Sequence, residues 1–254
     1  MPEHTTFLTY LFARFPALRE NADHIGYSLI GHRDPSYRSF EPILTSLFVI
    51  VFVALLALRT RKSLADTDRA VIPDDTLTLR TFMEAFIAFF YGVARDVMGP
   101  KRAKRYFPIV GGSACFIFFA NLMTLIPGLS PPTSSLNVTL GCALVVFILF
   151  NFYGLQANGM GYVKHLAGPK WYLAPLIFPI ELISTCVRPV TLSIRLMVNM
   201  AVDHLVGTIA LGMVALFVPV PLMFLGAIVI VVQTLVFSLL TSIYIGLATE
   251  HEEH

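Results

Sequence analysis

The chain has 254 residues, of which 56% are hydrophobic and only 13% are charged. Soluble domains carry about 25% charged residues, so a chain with a mean hydropathy of +0.73 is predicted to lie in a membrane. A net charge of +2 is too small to suggest a nucleic-acid-binding protein. The three cysteines, Cys115, Cys142 and Cys186, lie in apolar runs without CxxC spacing. They are therefore interpreted as buried hydrophobic side chains, and neither a metal nor a cofactor is expected.

The N-terminal segment, residues 1–42, has mixed charges and no small-residue cleavage site, so no cleaved signal peptide is predicted. Within it, residues 7–15 are predicted to form a short amphipathic segment that lies on a surface. The first span is predicted over residues 43–58, which form a continuous apolar run. Basic side chains follow this run, so its C-terminal end is predicted to be cytoplasmic and the N-terminus non-cytoplasmic.

After a polar cytoplasmic loop, an interfacial helix is predicted over residues 81–98. Its apolar core is too short to span a bilayer and contains Glu84. A basic cluster at residues 101–105 keeps this region cytoplasmic. Two further spans are predicted over residues 107–127 and 137–155, joined by a tight turn on the far side.

The last third of the chain is predicted to form two long helices, over residues 174–217 and 222–249, joined by a turn at Pro219 and Pro221. Each is longer than a bilayer crossing requires, so a long, strongly tilted hairpin is expected. Residues 1–254 thus form a single membrane domain. The predicted fold class is an all-α polytopic membrane protein with about five membrane-embedded helices and an interfacial amphipathic helix, its C-terminus in the cytoplasm.

Function is expected to depend on Arg195, a cation in the apolar C-terminal third. An arginine in this setting costs roughly 3 kcal/mol on insertion scales and cannot lose its proton to escape that cost. Glu181 and Asp203 lie on the same predicted helix, but roughly 21 and 12 Å away along its axis. Pairing within the helix is therefore disfavoured, and a partner elsewhere is expected.

Glu181, Asp203 and His204 are titratable groups at membrane depth, a pattern typical of proton or ion pathways. His204 is the natural proton relay because imidazole has an ordinary pKa of about 6.5. At about 100° per residue it falls on the helix face opposite Arg195. A hydrogen-bonded core histidine remains the alternative.

The same projection places several polar side chains on the side of Arg195: Glu181, Arg188, Thr191 and Asn199. Arg188 lies nearer the cytoplasmic end, where it either extends toward the membrane surface or takes part in the pathway.

Four amide side chains are further polar candidates in the apolar segments. Gln233, the single amide of the last long helix, is a candidate polar partner for Arg195. Asn121, Asn137 and Asn151 either link neighbouring helices or line a water path.

Three segments carry a family resemblance: RPVTLSIRLMVNMAVDHL (188–205), FFANLMTLIPG (118–128) and VVQTLVFSLLTSIYIGLATEHEEH (231–254). In this order they resemble subunit a of F-type ATP synthases. NVTL at 137–140 and HIG at 24–26 match bacterial members. The resemblance runs from about residue 24 to the end of the chain.

The resemblance implies a stator subunit, non-catalytic on its own, in the bacterial inner membrane. Its implied partners are a rotating ring of c subunits, the b-subunit peripheral stalk and other ATP synthase subunits, within the lipid bilayer. Two offset aqueous half-channels would carry H⁺ to and from the ring carboxylates, and Arg195 corresponds to the family's essential arginine. Positions near it or along the half-channels are matched by Glu181, Asn199, His204 and Gln233, and the tyrosine of the C-terminal helix by Tyr244.

One position departs from the family pattern. Mitochondrial members pair a histidine at the position of His204 with a glutamate seven residues before the glutamine, and many bacterial members reverse that pairing. This chain has Gly226 seven residues before the glutamine. Asp203 is expected to replace that glutamate in part.

Three other functions are alternatives: a Na⁺-coupled version of the same subunit, a stand-alone secondary ion transporter, and a structural subunit without an ion path. Protons are favoured over sodium because imidazole is a poor sodium ligand. No internal symmetry of the kind seen in transporters is evident, and Arg195 argues against a purely structural role.

Overall fold

The computed structural model describes residues 41–64, 78–126, 129, 131–159, 161, 174–213 and 219–249. Regular structure in these ranges is entirely helical. The α-helices are α1 (Glu41–Leu64), α2 (Leu79–Met98), α3 (Pro100–Leu122), α4 (Leu136–Asn158), α5 (Ala174–Met213) and α6 (Pro219–Ala248), with 3-10 helices at Met123–Leu125 and Pro132–Ser134. Within this part of the chain five helices, α1 and α3 to α6, are long and apolar enough to cross a membrane. The predicted all-α polytopic fold is confirmed.

Several sequence predictions fall outside the described residues. They are the N-terminal amphipathic piece with the HIG match, most of the loop after the first span, the loop before α5 and the end of the acidic tail. The corresponding ranges are 1–40, 65–77, 162–173 and 250–254.

Two helix starts differ from the sequence prediction. Helix α3 begins at Pro100, so the basic residues predicted to precede the span form its first turns. Helix α6 begins at Pro219, so the predicted turn at Pro219 and Pro221 is wrong, and both prolines lie in the first helical turn. Proline is well suited there because the first backbone N–H groups of a helix have no intrahelical acceptor.

The last two helices exceed the thickness of a bilayer. With 40 residues in α5 and 30 in α6, they measure about 60 and 45 Å at 1.5 Å per residue, against a hydrocarbon core of about 30 Å. Helix α5 continues through Pro179 and Pro189, although each proline removes one backbone hydrogen bond. The predicted tilt of this pair stays a prediction.

Helix α2 is amphipathic. Its N-terminus is capped by Thr78, whose hydroxyl oxygen accepts a hydrogen bond from the N–H of Thr81. One stripe is buried, formed by Met83, Phe90, Ala94 and Met98, and large apolar side chains on other faces are exposed. Glu84, which argued against a span, is neutralised by Arg80 at 2.8 Å.

The residues divide into two compact units, and most helices contribute to both. The first unit takes its described residues from 41–55, 116–139 and 194–233. Its small core joins Val49 of α1 to Ala120 and Met123, and Phe52 packs edge-on against Phe119 at 5.6 Å.

The second unit takes its described residues from 56–115, 140–193 and 234–254. Its core combines side chains from four helices: Ala94, Met98, Ala103, Tyr106, Val110, Phe150, Ile245 and Ala248. Small residues let the helix backbones approach closely. A Cβ atom added to Gly246 would lie 3.4 Å from Cγ of Met98, so α6 packs closely against α2 at this point.

The C-terminal end of α6 is capped by side chains of the second unit. Arg102 donates a hydrogen bond to the Gly246 carbonyl at 3.3 Å, and Asn158 donates one to the Ala248 carbonyl at 3.3 Å. The last carbonyls of a helix have no intrahelical donors, and a cation there is favoured by the helix dipole. The basic cluster that sequence analysis read only as a topology signal thus also supports the fold.

We expect Arg102→Ala to lower the free energy of unfolding by about 0.5–2 kcal/mol, because the end of α6 loses a cationic donor. Thermal unfolding of the detergent-solubilised protein measures the change. Lys101→Ala is the matched control, since Lys101 belongs to the same cluster but is exposed. Equal stability of the two variants would contradict a capping role.

The cysteines are only partly buried. Cys115 is buried, but Cys142 is half-buried and Cys186 is exposed. The prediction of burial is therefore wrong for Cys186, because the apolar run around it includes a helix face that this chain does not cover.

Candidate functional site

Arg195 lies on an uncovered face of α5 in the first unit. Leu196 and Met200 are buried beneath the helix, whereas Arg195 is exposed beside Ile194 and Val198. Within the described ranges no carboxylate forms an ion pair with Arg195. A permanently charged guanidinium among exposed apolar side chains requires an anionic or polar partner.

The polar residues that follow Arg195 on α5 are less exposed. Asn199, Asp203 and His204 are all half-buried. Asp203 does not pair with Arg195, as the separation of eight residues along the helix had predicted. In the first unit, α5 therefore presents Arg195 outward and keeps Asp203 and His204 partly covered.

Gln233 of α6 also belongs to the first unit, and 8% of it is exposed. Among the described residues no hydrogen bond joins it to Arg195, the partner suggested by the sequence. Gly226 lies seven residues earlier, and a Cβ atom added there would be 3.9 Å from Cδ2 of Leu125. This is an ordinary van der Waals distance, so the position has space for a first side-chain carbon.

We expect Gly226→Ala to raise the free energy of unfolding by about 0.5–1 kcal/mol, because glycine loses more backbone entropy than alanine in a helix. Thermal unfolding in detergent measures the gain. Gly111→Ala is the contrasting variant, since its added Cβ atom would meet the Phe107 ring at 3.0 Å. Destabilisation by Gly226→Ala would show that the space is not available.

A second polar cluster lies in the second unit. Arg188 is 3.6 Å from Glu181, measured from Nη2 to Oε1. Its guanidinium carbon also lies 5.3 Å from the centroid of the Tyr244 ring on α6. Two residues that the sequence grouped on one helix face are therefore paired, and Arg188 is held by contacts within the chain.

Asn121 links the end of α3 to the segment before α4, within the first unit. It is fully buried, and its side-chain oxygen accepts a hydrogen bond of 2.7 Å from the Thr133 hydroxyl. Its amide nitrogen finds no acceptor among the described residues. Asn121 thus acts as a link between elements, one of the two roles weighed from the sequence.

We expect Thr133→Val to lower the free energy of unfolding by about 1–3 kcal/mol, because it leaves the buried oxygen of Asn121 without its donor. Thermal unfolding of the solubilised protein measures the loss. Ser134→Ala serves as the control, since the Ser134 hydroxyl donates only to the nearby Pro131 carbonyl. A loss no larger than that of the control would contradict the argument.

Asn137 and Asn151 have surroundings that differ from those of Asn121. Asn137 is half-buried at the start of α4, and Asn151 donates a hydrogen bond of 2.8 Å to the Phe147 carbonyl of its own helix.

Metal binding gains no support from the described residues, which contain no group of three or more His, Cys, Asp or Glu side chains able to hold an ion.

Sequence reasoning missed a buried hydroxyl stripe on α6, formed by Thr234, Ser238, Thr241 and Ser242. Its signal was the recurrence of Ser and Thr every three or four residues. Ser238 and Ser242 donate hydrogen bonds of 2.8 Å to the carbonyls four residues earlier. Because these two donors are used within the helix, Ser238 and Ser242 serve close packing, whereas the Thr241 hydroxyl has no partner among the described residues.

The fold and the exposed arginine define a polytopic membrane protein with a cationic site on its long helix α5. Residues 42–246 match the family model described as the ATP synthase A chain. The ATP synthase subunit a of Sorangium cellulosum (strain So ce56) is 68% identical over 254 residues, covering all of both chains. That of a Nitratiruptor species is 41% identical over 213 residues, covering 82% of this chain and 92% of the relative.

A further relative, the ATP synthase subunit a of a Sulfurihydrogenibium species, is 40% identical over 176 residues, covering 69% of this chain and 84% of its own length. The chain belongs to the ATP synthase subunit a family. It is a multi-pass membrane protein, as the five long apolar helices require.

Proposed function

We propose that this chain is the stator subunit of a rotary F-type ATP synthase and that it conducts protons to and from the carboxylates of a c-subunit ring. The observation that carries the proposal is Arg195, exposed on an apolar helix face and without a carboxylate partner in the described residues. Such a charge needs an anion from another chain. Membership of the subunit a family makes a membrane carboxylate of a neighbouring subunit the fitting partner.

The chemistry follows from electrostatics. A ring carboxylate facing lipid is stable only when it is protonated, because an isolated charge is costly there. Near the fixed guanidinium of Arg195 the charged carboxylate is stabilised, so the proton leaves at that point of the rotation. Arg195 itself keeps its proton, so it cannot pass one from one half-channel to the other.

The half-channels would be lined by the titratable and polar residues of the two units. We assign Asn199, Asp203, His204 and Gln233 to one pathway and Glu181 to the other. Gln233 is buried and the other four are half-buried on long membrane helices, which supports this assignment. Asn121, Asn137, Arg188 and Tyr244 have secondary roles, in shaping the protein around the pathways.

His204 favours protons over sodium as the coupling ion, because imidazole exchanges protons near neutral pH and is a poor ligand for a hard cation. ATP-driven acidification of inverted vesicles in sodium-free buffer tests this choice. Pumping that requires added sodium would instead support the sodium-coupled version.

The same proposal places the chain in the bacterial inner membrane with the C-terminus in the cytoplasm. The contact of Arg102 with the end of α6 supports this orientation, because basic residues concentrate on the cytoplasmic side. The partners would be the c ring, the b-subunit peripheral stalk and other ATP synthase subunits. The chain would be non-catalytic on its own.

Purification of the tagged chain from its own membranes tests the assembly. We expect a small two-helix proteolipid with a mid-membrane Asp or Glu to co-purify. A cysteine at exposed Val198 should cross-link to that proteolipid, whereas one at buried Met200 should not. Recovery of an isolated monomer would contradict the proposal and favour a stand-alone transporter.

A further inference from the structure

Arg188 connects an acidic residue of α5 to an aromatic residue of α6. Its Nη2 atom lies 3.6 Å from Oε1 of Glu181, and its guanidinium carbon lies 5.3 Å from the centroid of the Tyr244 ring. All three residues are half-buried and belong to the second unit. The guanidinium is thus held on one side by charge and on another by an aromatic face.

The contacts extend from this cation into the core. The Tyr244 ring lies 6.0 Å from the ring of Phe150, measured between centroids, and Phe150 is only 2% exposed. Tyr244 itself packs against the core cluster of the second unit. The series Phe150, Tyr244, Arg188 therefore leads from a rigid core to the carboxylate of Glu181.

Helix geometry explains why Arg188 reaches Glu181. The two residues are seven positions apart, or two turns, and lie on one helix face about 10 Å apart along the axis. Long helical side chains point back toward the N-terminus of their helix, which is the direction of Glu181. The ion pair is nevertheless long at 3.6 Å, so its geometry depends on what holds the guanidinium.

The ion pair with Glu181 and the contact with Tyr244 stabilise the protein too little for the role of Arg188 to be mainly structural. An ion pair between partly exposed side chains contributes little to stability, and so does a cation–π contact at an accessible site. Neither contact explains by itself why a cation stands beside Glu181.

We propose that Arg188, held against the face of Tyr244, is a positioning residue that fixes the Glu181 carboxylate for proton transfer. The proposal rests on the proposed function, in which Glu181 lies on the proton path. Arg188 keeps its own proton, so it orients the carboxylate without competing with it as a relay. A simple counter-ion would require only a positive charge, whereas a positioning role also requires the aromatic ring beneath it.

The experiment compares substitutions at the ring and at the cation in the assembled complex. Passive proton conductance is measured in inverted vesicles stripped of the catalytic sector. Tyr244→Leu and Arg188→Lys are each expected to lower conductance about two- to fivefold, the range that corresponds to a cation–π contact. Tyr244→Phe should recover most of the conductance that leucine loses, because it keeps the ring face.

Tyr153→Leu is the matched control for loss of an aromatic ring. Tyr153 packs against the same core cluster and stacks on Tyr106 at 4.9 Å between centroids. We expect it to lower thermal stability as Tyr244→Leu does, but to leave conductance unchanged. Equal conductance losses in the two variants would mean that Tyr244 acts only through packing and would overturn the proposal.

A double variant tests whether the ring acts through the carboxylate. In a Glu181→Gln background, Tyr244→Leu should cause no further loss, because the carboxylate to be positioned is absent. Losses that multiply would overturn the positioning role. Failure of the proposed function is recognised separately, by coupled pumping that survives Arg195→Ala. If Arg195→Ala abolishes pumping and Tyr244→Leu matches the wild type, only the positioning role fails.

Discussion

Replacing Arg195 with alanine is expected to abolish ATP-driven proton pumping while the complex still assembles. The side chain is exposed and forms no ion pair within the described part of this chain, so its loss removes little from the fold. In the proposed mechanism it removes the one fixed charge that stabilises an ionised ring carboxylate. Without it the carboxylate stays protonated in an apolar surrounding and no net transfer occurs. Fluorescence quenching in inverted vesicles measures pumping, and subunit composition after purification measures assembly.

Two further variants test whether the loss of pumping is specific to the guanidinium group of Arg195. Arg195→Lys keeps the charge but loses the planar fork of donors that suits a carboxylate, so we expect at least about a tenfold loss of pumping. Lys104→Ala removes an exposed cation at the start of α3 and should leave pumping unchanged. Coupled pumping at the wild-type rate in Arg195→Ala would contradict the central proposal.

The sequence predicted the helices because lipid imposes a simple rule. Backbone groups in hydrocarbon must be satisfied within the segment, so a long apolar run is a helix. The starts of α3 and α6 were misplaced for local reasons. The basic cluster at residues 101–105 was interpreted as preceding the span, but it forms the first turns of α3. Pro219 and Pro221 were interpreted as a turn, but proline also fits the first turn of a helix. Composition alone does not distinguish the two uses.

The candidate site was predictable to the extent that it depends on charge and helix phase. The cost of a cation in an apolar membrane segment singled out Arg195, and the helix projection placed Glu181 and Arg188 on one face, where the structure pairs them. The roles of these residues stay predictions.

Contacts between helices were not predictable in the same way. The contact between Arg102 and Gly246 joins residues 144 positions apart, and Tyr244 meets Arg188 from a different helix. Helical periodicity shows which face a residue occupies but not which neighbour covers that face. That information arises only from packing, as in the close passage of Gly246 against Met98.

Replacing His204 with alanine is expected to slow proton conductance by at least about tenfold while assembly is retained. A positioned proton-transfer group commonly contributes a factor of about 10²–10⁴, and water in an aqueous half-channel is expected to replace part of that factor. His204 is half-buried on α5 next to Asp203, so this chain leaves part of its surface uncovered. Passive conductance of stripped vesicles and ATP-driven pumping are measured on the same preparations.

Leu205→Ala is the matched control, since Leu205 is adjacent and 60% exposed. It should leave conductance unchanged, which excludes a general disturbance of this part of α5. Asp203→Asn tests the neighbour that is expected to replace the glutamate absent at Gly226, and it should reduce conductance less than His204→Ala does. If His204→Ala conducts protons as fast as the control, His204 is a packing residue, and the pathway must run through Asn199, Asp203 and Gln233 without it.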